Sequence, residues 1–215
     1  IPVFAVILAD TLLLARYVQQ IAADYSAAGA DGFLLWPDGF SGYQDPAALR
    51  VVSNAVTALS AQSRPVILMY GDAFSLALHY AGLAGFACGI CYGESKLSTE
   101  DMDVQGEIPT RYYLRFLKKK VVIETEARRI QLDKYPDFEC RCDVCQRTPD
   151  RASLDDTESK EHFMLVRADE LAELRSGLSQ QDFAAALDSA YQKYEDNPLL
   201  RPVSHLANWS KLLSQ

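Results

Sequence analysis

Short apolar runs alternate with amphipathic segments over the first hundred residues. The apolar runs, bounded by Asp, Pro or Gly, predict four β-strands, at residues 2–8, 33–36, 66–70 and 85–92. Helical spacing of apolar positions predicts helices at 11–27, 47–60 and 73–81. The predicted apolar side of the first helix carries Leu13, Leu14, Tyr17, Val18 and Ile21. Continuously apolar strands separated by such helices indicate an α/β fold with a parallel sheet covered on both faces.

The pattern changes beyond residue 95. An acidic loop at 98–106 precedes an aromatic, basic and then β-branched stretch at 112–123. A polar segment at 148–160 is predicted to be mobile, and two amphipathic helices are predicted at 162–175 and 179–194. We therefore predict two regions: parallel βα units at 1–105, and at 106–215 a basic-aromatic segment, a cysteine-rich subdomain and terminal helices.

Composition restricts the classes of function. The chain has 215 residues and a formal net charge of -8, which argues against a generally basic coat for nucleic acid. No apolar run approaches the ~20 residues that span a bilayer, so no membrane association is expected. Five cysteines, three of them clustered, favour a reducing compartment, and we expect a cytoplasmic protein. No signal peptide is recognisable; the chain does not begin with Met, so upstream residues are expected.

The most specific motif is a group of three thiols within six residues, Cys140, Cys142 and Cys145, followed by His162. Structural zinc is held by four N or S ligands in a tetrahedron, and this group supplies that number. The alternatives are reduced cysteines packed in a core, or one disulfide and a spare thiol. The Arg, Asp and Gln around the cysteines suit an exposed loop, which favours structural Zn²⁺.

At this motif the chain resembles the tRNA-guanine transglycosylase family and its relatives that act on DNA. Cys140, Cys142 and Cys145 match the family's C-x-C-x-x-C, and Glu161-His162 matches its histidine segment. The spacing from Cys145 to His162 is shorter than is usual in the family, so His205 is a reserve fourth ligand. The resemblance implies a TIM-like (β/α) barrel followed by a zinc subdomain.

Residues 65–71 and 85–88 resemble the family's last two barrel units, so 1–105 would be the C-terminal half of a barrel. In a rival register, residues 85–94 match the family's glycine-rich base-binding strand. The resemblance implies covalent exchange of guanine for a 7-deazaguanine base in tRNA or DNA. In the first register, however, the nucleophilic aspartate is replaced by Ala87. The alternatives are an inactive zinc-stabilised subunit that binds nucleic acid or a partner chain, and an unrelated barrel enzyme with a zinc clip.

Carboxylates follow each predicted strand. They are Asp10, Asp38, Asp72 and Glu94, and in parallel α/β folds this edge carries the site. Asp10, Asp72 and Glu94 are candidate catalytic groups. The alternative is that an aspartate at a strand-to-helix turn is a helix cap, and this is the better interpretation of Asp72.

Substrate contacts are predicted at the same edge. Tyr70 and Tyr92 could stack on a flat base, and Gly71 and Gly89 would let a ligand approach the backbone. Rim aromatics and turn glycines are the alternatives. Cys88 and Cys91 would point to opposite faces of an extended strand, so we expect them to be packing residues rather than a metal pair.

A basic and aromatic stripe lies between the predicted sheet and the cysteines. Its cationic residues Arg111, Arg115, Lys118, Lys119 and Lys120 are candidates for contact with nucleic-acid phosphates. The alternative is a solvated face whose lysine stems cover apolar surface. Separately, four βα units leave an open parallel edge, so we expect the first strand to pair with an N-terminal segment, a partner chain or a second copy.

Overall fold

The computed structural model describes residues 1–89, 109–130 and 134–215. The chain divides into two compact units, Ile1–Met102 with Lys211–Gln215, and Asp103–Ser210. Four predicted features lie outside the described residues: Cys91, Tyr92, Glu94 and the acidic loop. None of the helices that the structure describes is both long and apolar enough to cross a membrane.

The first unit is a four-stranded parallel sheet with its helices. Its elements are β1 (Phe4–Ala9), α1 (Thr11–Ala27), β2 (Gly32–Pro37), α2 (Pro46–Ser60), β3 (Val66–Leu68), α3 (Ser75–Leu78) and β4 (Gly85–Phe86). The strand order β1-β2-β3-β4 follows the chain, and every described pairing is parallel. Because parallel crossovers are right-handed, this order places the connecting helices on one face. The α/β class is confirmed; closure into a barrel stays a prediction.

The predicted cover on both faces is wrong for β1. Alternate residues Ala5, Ile7 and Ala9 are buried, whereas Val6 and Leu8 are 56% and 48% exposed. In α1 the buried residues are Leu14, Val18 and Ala22. Of the ten large exposed hydrophobic side chains among the described residues, eight lie in residues 1–25: Ile1, Val3, Val6, Leu8, Leu12, Leu13, Tyr17 and Tyr25. The helix predicted from the spacing is present, but the apolar side of α1 is wider than the set of its residues that is buried.

The second unit joins a hairpin to helices. Its strands β5 (Arg111–Leu114) and β6 (Lys119–Val122) are antiparallel. The helices are α4 (Arg128–Ile130), α5 (Asp143–Arg147), α6 (Asp156–Arg175) and α7 (Gln180–Tyr194). A last helix, α8 (Ser204–Leu213), begins in this unit, and its residues from Lys211 onward are grouped with the first unit. The sequence pattern missed α8 as a separate helix.

The prediction of a mobile segment at 148–160 is wrong at its end, because α6 begins at Asp156. Asp155 accepts a hydrogen bond from the backbone of Glu158, and the Glu158 side chain accepts one from the backbone of Asp155. This capping box supplies two of the partners that a polar first turn needs. The charged residues at the end of this segment therefore form the capped first turn of α6.

Two strands and one helix of the first unit are shorter than predicted among the described residues. The third and fourth strands end within the described residues at Leu68 and Phe86, earlier than predicted. The predicted helix at 73–81 is a short α3 continued by a 3₁₀ turn, His79–Ala81, which ends at Gly82 with φ 96°. A left-handed glycine is a common end for a helix, so this stop follows from the sequence.

Candidate metal centre

Three cysteines and one histidine of the second unit converge on a point. The ligand atoms of Cys140, Cys142, Cys145 and His162 all lie within 4.8 Å of one another. The His162 Nδ1 atom is 3.7, 3.4 and 3.4 Å from the three sulfurs in that order. Metal–sulfur bonds of about 2.3 Å and metal–nitrogen bonds of about 2.05 Å in a tetrahedron give a sulfur–nitrogen edge of roughly 3.6 Å. The group therefore has the size of a tetrahedral metal site.

Local structure brings the thiols together. Cys142 occupies the N-cap position of α5, and Cys145 lies inside that helix three residues later. Residues three apart are neighbours on a helix surface, so both sulfurs point the same way. Cys140 reaches the group from the extended segment before the helix. The C-x-C-x-x-C spacing is thus a strand-like pair followed by one helical turn.

The fourth ligand depends on how α6 is held. Thr148 Oγ1 donates a hydrogen bond of 2.8 Å to Glu158, and Arg147 forms an ion pair of 3.0 Å with Glu161. Both contacts join the cysteine segment to the first turns of α6. His162 lies one turn further and is fully buried. The short spacing between Cys145 and His162 is therefore sufficient.

Consecutive residues of β5 surround the histidine and one thiol. His162 Nε2 is 3.0 Å from the Tyr113 carbonyl oxygen, so this nitrogen carries the proton and donates. The lone pair of Nδ1 then faces the sulfurs. The Tyr112 ring stacks on His162 at 4.2 Å, and its hydroxyl lies 3.4 Å from Cys145 Sγ. Such outer contacts orient metal ligands and tune their basicity.

The pKa values of the side chains in this group couple metal binding to pH. A hydrogen bond with Cys145, together with burial, raises the pKa of the Cys140 thiol to about 11. The hydrogen bond from Cys140 lowers the pKa of Cys145. Burial raises the pKa of Tyr112, so its phenol keeps a proton to donate to sulfur. Metal ligands must be deprotonated, so metal binding here releases protons and weakens in acid.

The reserve ligand His205 lies elsewhere. Its Nε2 atom is 2.9 Å from the Leu117 carbonyl oxygen, and its ring packs edge-on against Trp209. Burial lowers the pKa of His205 to about 4, so the ring is neutral at physiological pH. The structure corrects the reserve assignment: His162 completes the group, and His205 belongs to the core.

The candidate catalytic carboxylates have structural contacts. Asp10 is the N-cap of α1 and accepts a hydrogen bond of 2.8 Å from the Leu13 amide. Asp72, 3% exposed, accepts from the Phe74 amide at 2.8 Å and from the Gly42 amide at 2.5 Å. The capping interpretation is therefore confirmed for Asp10, whereas α3 begins after Phe74 without a side-chain cap and Asp72 accepts its hydrogen bonds in the loop before that helix. The catalytic role of both residues stays a prediction.

Part of the predicted substrate edge is present at the ends of β2 to β4. Tyr70 has a left-handed backbone, with φ 54°, and its ring centroid is 4.8 Å from that of Trp36. The buried Gly71 donates a backbone hydrogen bond of 2.9 Å to Ala87. A Cβ at Gly71 would lie 2.2 Å from Ser75 Oγ, so packing explains this glycine. Trp36, which lies before Pro37 at the end of β2, was not predicted to belong to this edge. Gly89 is half-buried.

The basic stripe makes contacts within its own unit. Arg115 forms an ion pair with Glu173, and Lys118 forms one of 2.6 Å with Glu170. Lys119 donates to the Leu200 carbonyl at 3.2 Å, and burial lowers its pKa. Lys120 Nζ lies 3.9 Å from the centre of the Phe163 ring, and Arg111 lies on β5. Three of these contacts are with residues of α6, so they agree with lysine and arginine side chains laid over a helix. Contact of the stripe with nucleic-acid phosphates stays a prediction.

Two functional contributions were missed by the sequence. Tyr112 and Tyr113 were interpreted as aromatics of the basic stripe, whereas they support the metal group. Arg167 and Glu170 form a buried ion pair of 3.1 Å on α6, and Tyr113 donates a hydrogen bond to that carboxylate. Adjacent tyrosines on a short strand were the available signal, because their side chains point to opposite faces of the hairpin and both are buried.

Comparison with models of known protein families, with curated proteins and with solved structures found no match for this chain. The function of this chain is therefore inferred from its residues and their geometry.

Proposed function

We propose that this chain is a zinc-stabilised, catalytically inactive relative of the base-exchanging transglycosylases, which acts by binding rather than by chemistry. The observation that carries the proposal is the compact Cys₃His group. Three thiolates and one imidazole are ligands that suit zinc, and four protein ligands leave no open position for a reacting water. A closed set of this kind is typical of structural zinc.

The carboxylates at the sheet edge support the inactive interpretation. Covalent base exchange needs a carboxylate nucleophile and a second acid or base. Ala87 occupies the nucleophile position of the first register, Asp10 is the N-cap of α1, and Asp72 accepts hydrogen bonds from two backbone amides. Among the described residues no other candidate from the sequence takes these roles. The proposed function therefore includes no base exchange by this chain alone.

An active transglycosylase is the second candidate: the location of position 87 at the sheet edge suits it, although the alanine there supplies no nucleophile. This residue follows β4, is exposed, and is joined to Gly71 by a backbone hydrogen bond of 2.9 Å. An aspartate at this position would present a carboxylate at the end of the sheet where parallel α/β proteins carry their sites. Trp36 and Tyr70 would lie at the same edge.

Incorporation of labelled guanine into tRNA and DNA distinguishes the two candidates. The unmodified chain is expected to give no turnover, whereas Ala87→Asp would restore it if the rest of the site is intact. Ala84→Asp is the matched control, because Ala84 is also exposed but precedes β4. Turnover by the unmodified chain would overturn the inactive interpretation.

A further inference from the structure

A cleft of about 530 Å³ opens beside the metal group within the second unit. Cys140 and Cys145 border it, and its other walls include Tyr135, Phe138, Glu139, Arg141, Gln146 and Arg151. Pockets of this size commonly hold a small ligand. Two residues of the metal group therefore line a space that is large enough for a small ligand.

One wall of the cleft is aromatic and firmly supported. The rings of Tyr135 and Phe138 lie 5.3 Å apart, and Tyr194 stacks on Phe138 at 5.3 Å from within α7. The hydroxyl of Tyr135 accepts a hydrogen bond of 3.0 Å from Asn197. Phe138 is only 6% exposed, so Tyr135 is the ring that an incoming ligand would touch. A flat ring system is the natural partner of such a wall.

Two arginines also line the cleft. Arg151 donates hydrogen bonds to the carbonyl oxygens of Pro149 and Cys140, which hold its guanidinium beside the thiols. The Arg141 side chain is 84% exposed and has a contact of 3.7 Å with Glu139. Arginine pairs with phosphate through two parallel hydrogen bonds. The cleft thus presents two guanidinium groups, with one carboxylate beside them, in a chain of net charge -8.

Polar side chains that line the cleft can form hydrogen bonds with the edge of a bound aromatic ring. Gln146 donates a hydrogen bond of 2.6 Å to the Arg141 carbonyl oxygen, and this residue lines the cleft. Glu139 adds a carboxylate that accepts hydrogen bonds. Acceptors of this kind pair with the amino and imino groups of a nucleobase.

We propose that the cleft binds one unpaired nucleotide, with its base against Tyr135 and its phosphate at Arg141 and Arg151. The assignment deepens the proposed function by naming what the zinc-stabilised unit binds, and it rests on that function. A free nucleotide and a nucleotide within a single strand offer the same base and phosphate. The experiment therefore includes both.

Binding is measured by titrating the zinc-loaded chain with guanosine monophosphate and with a labelled single-stranded heptanucleotide. Arg141→Gln is expected to weaken binding about tenfold and to reduce the salt dependence by close to one phosphate. Tyr135→Leu is expected to weaken it by about tenfold through lost stacking. Arg175→Gln is the control, since Arg175 is exposed at the end of α6 and outside the cleft.

Each outcome decides the assignment. Preference for the heptanucleotide, with both cleft variants weakened, supports a single strand as the source; equal binding of the monophosphate supports a free nucleotide. No binding of either probe, or binding that neither variant weakens, overturns the assignment. Zinc is measured on the same samples. If the chain holds zinc but binds neither probe, the proposed function stands and the nucleotide assignment fails. If the chain holds no zinc, the proposed function fails, and the binding data still show whether the cleft binds a nucleotide.

Discussion

The sheet of the first unit and the metal group of the second are organised by different interactions. In the sheet, side chains such as Phe33, Leu35 and Leu49 are fully buried, and apolar packing fixes the strands and helices. The segment from Cys140 to Arg147 buries only Val144 and Cys145. Four ligands drawn from two segments take the place of a core there. Because of this difference, we expect loss of the metal to damage the cysteine segment and spare the sheet, and a cavity in the core of the sheet to do the reverse.

The largest expected effect is the loss of a metal ligand. Cys142→Ser should remove most of the metal affinity and unfold the cysteine segment, because structural zinc supplies apparent binding energies of about 10–16 kcal/mol in small domains. Hydrogen exchange should show lost protection at residues 140–165 and little change in β1 to β3. Cys88→Ser is the matched control, since Cys88 lies in the first unit outside the metal group. Equal damage in both variants would contradict the account.

A cavity in the sheet should have the reverse pattern. Leu35→Ala removes a fully buried side chain from β2 and should lower the free energy of unfolding of the first unit by about 3 kcal/mol. Zinc content and the protection of α6 should stay the same. Leu8→Ala is a suitable control, because Leu8 is 48% exposed on the neighbouring strand. Loss of zinc from the Leu35 variant would show that the regions are not separable.

Acid should act on the second unit through His205 as well as through the thiols. Burial lowers the pKa of His205 from 6.5 to about 4, so the unfolded chain takes up the proton first. Stability is therefore complete above pH 6.5 and falls as the pH decreases to about 4, by about 3 kcal/mol in total. His205→Gln should flatten this part of the stability profile.

His79→Gln is the control for that experiment, because His79 is an exposed histidine of the first unit. Denaturant melts at pH 7.0 and 4.5, with zinc content matched, measure the difference. A profile as steep in the His205 variant as in the unmodified chain would remove His205 from the explanation.

The smallest expected effect concerns the outer contacts of the metal. Tyr112→Phe removes the hydroxyl that lies 3.4 Å from Cys145 Sγ and keeps the ring that stacks on His162. Changes of this kind typically weaken metal binding 10- to 100-fold. Competition with a chelator measures the affinity, and Tyr43→Phe in the first unit is the control. Unchanged affinity would mean that the hydroxyl does not support the thiolate.

Much of the sheet could be predicted from the sequence. Runs such as residues 33–36 have a continuous apolar pattern between turn residues, and Asp45-Pro46 marks the start of α2. The exposed side of β1 could not be predicted, because an edge strand of a parallel sheet has the same composition as a central one. The early start of α6 was missed because its capping box consists of charged residues.

The metal ligands could be predicted because spacing and residue type determine them. Their surroundings could not, since Tyr113 contributes a backbone carbonyl that carries no side-chain signal. The basic stripe was predicted as a surface feature, yet its partners Glu170 and Glu173 lie more than 50 residues away. Pairing over that distance depends on the fold. The cleft beside the thiols arises in the same way from residues that the sequence pattern treated as loop.

Native mass spectrometry of the chain, purified without chelator, tests the central claim most directly. The intact mass under non-denaturing conditions, compared with the mass after acid denaturation, gives the metal content per chain, and elemental analysis identifies the metal. We predict one zinc ion per chain, released on denaturation and absent from Cys142→Ser. A chain that is folded in both units and carries no zinc would contradict the account.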